Sequence, residues 1–147
     1  MIARTAVLAI ALSLVSTATW GTTLCRPSMR RALVEGRFGG PIVCSRNNAS
    51  LILAGRTTGT RLTIYDYRYR FLTHKGGVWH GGQRLMVFSG NAYIGNYLLS
   101  PPRLRITVEG TSVVLKVPQT GEKVELDFSK APPRKILVNG ELEQFQR

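Results

Sequence analysis

Short runs of alternating or β-branched residues recur about every ten positions along this chain, and no long stretch after residue 22 places apolar residues at i, i+3, i+4 and i+7. Clusters of Gly, Pro and Asn separate the runs. A strand whose side chains alternate is apolar on one face only, so a set of short strands must close on itself or stack on a second sheet. The expectation is an all-β protein, either a small antiparallel barrel or a two-sheet sandwich. Candidate strands are Ala32 to Phe38, Pro41 to Ser45, Ser50 to Ala54, Arg61 to Leu72, Gln83 to Phe88, Ala92 to Leu99, Leu104 to Glu109, Ser112 to Val117, Val124 to Phe128 and Lys135 to Phe145. The last divides in two if Asn139-Gly140 forms the type I′ turn that this dipeptide favours. The C-terminal half reads as a β-meander, because Leu104-Ile106-Val108, Val113-Leu115-Val117 and Val124-Leu126-Phe128 each load one face and short turns join them. Gly95 is expected to mark a bulge or a close backbone crossing. One segment supports a second reading: Ser28 to Glu35 tolerates a short helix with Pro27 at its start.

The first 21 residues read as an export signal. Arg4 precedes an apolar run from Ala6 to Val15, and the small and polar residues that follow offer a cleavage site at Ser16-Thr17-Ala18 or Thr19-Trp20-Gly21. The run falls short of the roughly 20 apolar residues needed to cross a bilayer. Residues 1–21 are therefore read as a signal peptide, and residues 22–147 as a single exported β-domain, periplasmic or secreted. In an oxidising compartment the two cysteines, Cys25 and Cys44, are expected to form one disulfide.

The formal net charge is +12, and it is unevenly placed. Between Thr22 and Val108 there are thirteen basic residues against Glu35 and Asp66, whereas from Glu109 onward there are six of each sign. Most of the excess is arginine, whose planar fork suits bidentate contact with phosphate or carboxylate. Outside the cytoplasm the available polyanions are an anionic envelope polymer or lipid, or an acidic protein, and no nucleic acid is expected as a partner. Peripheral contact with a membrane fits the same charge.

The segment Arg61 to Phe71 alternates so that Tyr65, Tyr67, Tyr69 and Phe71 share one face, with Asp66, Arg68 and Arg70 on the other. With the aromatic face in the core, the opposite face is expected to be an outward cationic strip, extended by Arg103 and Arg105. The segment His74 to Gly82 holds both histidines, four glycines and Trp79, and reads as a binding loop in which Lys75, Trp79 and His80 contact the ligand. No metal and no cofactor are expected, since the two histidines match no strong ligand spacing. A catalytic set is also incomplete: no serine sits in a nucleophile elbow, and acids are few.

These features point to a non-enzymatic exported β-domain, binding an anionic envelope component or an acidic protein partner through Arg-rich strands and the Gly-Trp-His loop. One alternative is a small secreted hydrolase or metal-dependent enzyme built on His74, His80 and Asp66. The other is an inhibitor or envelope assembly factor acting by surface complementarity.

Overall fold

A computed structural model describes residues 23–100 and 103–147; the expected signal peptide and the Pro101-Pro102 pair lie outside them. The fold is all-β with one short helix, α1 (Pro27–Glu35). Strands β1 (Ala49–Arg56), β2 (Leu62–Leu72), β3 (Trp79–Ser89) and β4 (Ala92–Leu99) form a four-stranded antiparallel sheet in sequence order. The expected meander follows as β5 (Arg105–Glu109), β6 (Ser112–Lys116) and β7 (Lys123–Asp127), and a hairpin of β8 (Lys135–Val138) and β9 (Glu141–Gln144) ends the chain. Asn139 and Gly140 both take positive φ, 52° and 78°, as the turn of that hairpin requires. The strands form three separate sheets, stacked across a shared core rather than hydrogen-bonded into one barrel.

The large sheet is buried on both faces. On one face Leu62, Ile64, Leu85, Val87 and Tyr97 pack against Ile106, Leu115 and Phe128 of the smaller sheets. On the other, Tyr67, Tyr69, Met86 and Phe88 lie beneath α1 through Leu33 and Ala32. The aromatic face of β2 is thus core, as its alternation indicates. Gly95 lies at the bulge between β3 and β4, and any side chain there would run into the Phe145 ring.

Two strand expectations are corrected. Ala32 to Phe38 is helix and turn, because Met29, Ala32 and Leu33 make one apolar stripe at helical spacing and Pro27 occupies the first turn. The helix closes in a Schellman motif, with Arg37 at φ 59° and the Phe38 amide donating to Leu33 O at 2.8 Å. Pro41 to Ser45 pairs with no strand. The Val43 amide donates to the Tyr67 hydroxyl at 3.0 Å, and that hydroxyl donates to Pro41 O at 3.0 Å, so a side chain replaces the ladder. Burial pushes the Tyr67 hydroxyl up to about 12.

Cys25 and Cys44 form a disulfide that ties the start of α1 to this extended segment, with Cα atoms 5.5 Å apart. The chain-entropy model values a loop of this length at about 3 kcal/mol. Replacing both cysteines with serine is expected to lower unfolding stability by about that amount, read from denaturant midpoints. An unchanged midpoint would show that the bridge does not restrain the unfolded chain.

Candidate anion-binding site

The face of β2 opposite its tyrosines is not the open cationic strip its sequence suggests. That face continues the inter-sheet core, so Asp66 is buried at 4 % exposure and Arg68 is only partly exposed. Asp66 and Arg68 meet at an ion pair of 2.7 Å, the one ion pair among the described residues. Gln83 completes the junction. Its amide nitrogen donates to Asp66 Oδ1 at 2.9 Å and to Leu104 O at 2.7 Å, while its Oε1 accepts from the Leu104 amide at 2.8 Å. The Gln83 side chain therefore pairs with Leu104 as a neighbouring strand would. Arg68 adds a bond to the same Leu104 carbonyl at 3.2 Å. This buried knot fixes residues 103–105 across the large sheet, and with them the direction of Arg103.

Beside the knot lies an open basin of about 320 Å³. Arg46, Asn47 and Asn48 from the turn before β1, Arg68 and Arg70 from β2, and Arg103 line it. Four arginines thus line one concavity that no carboxylate lines, although the charge of Arg68 is met by Asp66 beneath it. Two of them are set in place: Arg68 by Asp66, and Arg70 by Asn48 Oδ1 at 3.0 Å and Asn47 O at 3.4 Å. The turn is held in return, since the Arg70 amide donates to Asn48 O at 2.8 Å. Arg46 and Arg103 make no hydrogen bond or ion pair among the described residues, so their forks remain available to a ligand. Across Arg103 a less polar recess of about 280 Å³ opens between Gly81-Gly82 and Leu98 to Ser100.

Trp79 joins this group by a route the sequence does not show. It begins β3 rather than sitting in a loop, and its half-exposed ring lies 4.9 Å from the Arg70 guanidinium carbon. A cation held over an indole is oriented without losing its charge. The segment His74 to Gly82 is accordingly corrected: its second half is strand, and only the first part forms the exposed connection that carries Lys75.

The remaining candidates are scattered. His80 stacks on Phe71 with ring centroids 5.7 Å apart, on the face of the sheet opposite Asp66. His74 folds over Gly77 at the tip of the connection, so His74, His80 and Asp66 do not converge. Among the described residues no three of His, Cys, Asp and Glu are placed to hold a metal ion. Arg105 does not line the basin; it borders a separate groove on the meander, beside Lys116 and Lys123.

Comparison with protein-family models, curated proteins and solved structures gives no match. Arg46 and the Asn47-Asn48 turn are the members the sequence alone does not single out. The asparagines read as punctuation between strands, and only the antiparallel pairing of β1 with β2, with Ala49 opposite Tyr69, brings them to Arg70.

Proposed function

We propose that the protein is an exported binding domain whose basin, formed by Arg46, Arg68, Arg70 and Arg103, holds the phosphate or carboxylate groups of an anionic envelope component. The observation that carries this reading is the gathering of four arginines around a concavity lined by no acid, two of them fixed by hydrogen bonds and two with unengaged side chains. The apolar leader and the disulfide support export. Binding is favoured over hydrolysis because the histidines and Asp66 lie apart, and Asp66 is engaged by Arg68 and Gln83.

The test is the salt dependence of binding to a phosphate-bearing envelope polymer and to anionic lipid vesicles. An Arg46→Ser/Arg103→Ser variant removes two forks that support no internal hydrogen bond, so folding is retained. Its affinity is expected to fall at least about tenfold, and its slope of log affinity against log salt to flatten by about one to two units. Equal, salt-insensitive binding by both proteins would remove the proposal.

A further inference from the structure

The outer face of the meander carries a row of like charges in direct register. Arg105 on β5 lies opposite Lys116 on β6, and Lys116 lies opposite Lys123 on β7. All three are exposed, and they border a groove of about 230 Å³. Adjacent strands stand about 4.8 Å apart, so three cations fall within about 10 Å. That is close to a Debye length of about 8 Å at physiological salt, and like charges directly opposite one another destabilise a sheet. No ion pair ties the row: Glu109 borders the groove and Glu125 lies one row along on the same face, yet neither comes within ion-pair distance of these cations.

The row begins where the basin ends. Arg103 and Arg105 are both exposed and flank the buried Leu104 that the Gln83 side chain anchors, so the basin's last arginine and the row's first are two residues apart in the chain. Cationic sites therefore follow one another from the basin on the large sheet, across residues 103–105, to Lys123 on the far strand of the meander. One flank of this line is different. The next rows on the same face are Thr107, Val114 and Glu125, then Glu109, Ser112 and Asp127. The carboxylates there repel a broad anionic surface such as a bilayer and leave room for a narrow one.

We infer that the ligand is a linear phosphate-bearing polymer, which seats one group in the arginine basin and runs on over Arg105, Lys116 and Lys123. This rests on the basin being an anion site, and it adds the ligand's shape and length together with a second site that secures it. A chain held at both sites binds with an effective concentration that a short anion lacks. Length, rather than charge alone, then sets affinity.

The experiment measures binding of pyrophosphate, long-chain polyphosphate and anionic phospholipid vesicles to the mature protein and to two variants. Lys116→Gln/Lys123→Gln is expected to weaken long-chain polyphosphate about tenfold, flatten its salt slope by about one to two units, and leave pyrophosphate within about twofold. The same variant should be at least as thermally stable as the wild type in low salt, because it removes the facing charges. Arg46→Ser/Arg103→Ser should weaken both soluble probes. Equal effects of the lysine variant on the short and long probes, or none on either, would overturn the inference while leaving the basin intact. Vesicle binding that needs Lys116 and Lys123, with polyphosphate binding that does not, would overturn the polymer as occupant. Unchanged binding in the arginine variant would instead remove the basin itself.

Discussion

Replacing Gln83 with leucine is expected to lower stability by about 4 kcal/mol and to weaken anion binding at the same time. The volume changes little, so the loss comes from stranded polar groups. The Leu104 amide loses its acceptor, Asp66 Oδ1 loses its donor, and the Leu104 carbonyl keeps only the Arg68 bond at 3.2 Å. A buried backbone amide left unpaired costs about 1–3 kcal/mol, and a carboxylate more. Residues 103–105 would then shift, moving Arg103 away from Arg46 and Arg68. Denaturant unfolding reads the first effect and pyrophosphate affinity the second. A leucine variant as stable as the wild type would mean that the knot does not hold the two sheets in register.

Arg84→Met is expected to cost about 3 kcal/mol, although it removes a buried charge that has no carboxylate partner. Arg84 is 8 % exposed, on the helix-facing side of β3. Neutral oxygens satisfy its fork: Asn96 Oδ1 accepts at 2.7 Å, the Tyr69 hydroxyl at 3.3 Å and Gln146 Oε1 at 3.4 Å. The guanidinium carbon also lies 5.6 Å from the Phe38 ring centre and 6.0 Å from that of Tyr69. Such a cation is tolerated because dipoles and ring faces replace its hydration. Methionine fills the volume but leaves Asn96 Oδ1 without its donor and loosens the C-terminal segment, where Asn96 and Gln146 exchange backbone hydrogen bonds of 2.9 Å each way. Lysine should not rescue it, since a single ammonium cannot replace a fork whose separate nitrogens reach three oxygens. Stability unchanged in Arg84→Met would show that the guanidinium serves only to fill space.

Much of the architecture is legible in the sequence because period-two alternation is a local signal. Leu62 to Leu72, Ala92 to Leu99 and the meander strands all carry it, and Asn139-Gly140 marks its own turn. The strand expected at Ala32 to Phe38 misleads because β-branched and aromatic neighbours mask a one-turn helical stripe. Pro27 and the Schellman closure decide the matter. The outward strip fails for a different reason: alternation says which side chains share a face, not whether a second sheet covers it. Asp66 faces the core boundary because Leu104 crosses there, a contact between residues far apart in the chain. The basin is half legible for the same reason, with Arg68, Arg70 and Arg103 marked by charge but Arg46 and the Asn47-Asn48 turn recruited only by tertiary contact.

The most direct measurement is a titration of the domain of residues 22–147 with pyrophosphate, followed through the arginine Nε–Hε and tryptophan indole resonances. The arrangement described above predicts early, saturable shifts at Arg46, Arg68, Arg70 and Arg103, with Trp79 responding through Arg70. Shifts spread evenly over all arginines, or concentrated at the exposed arginines of α1, would contradict it.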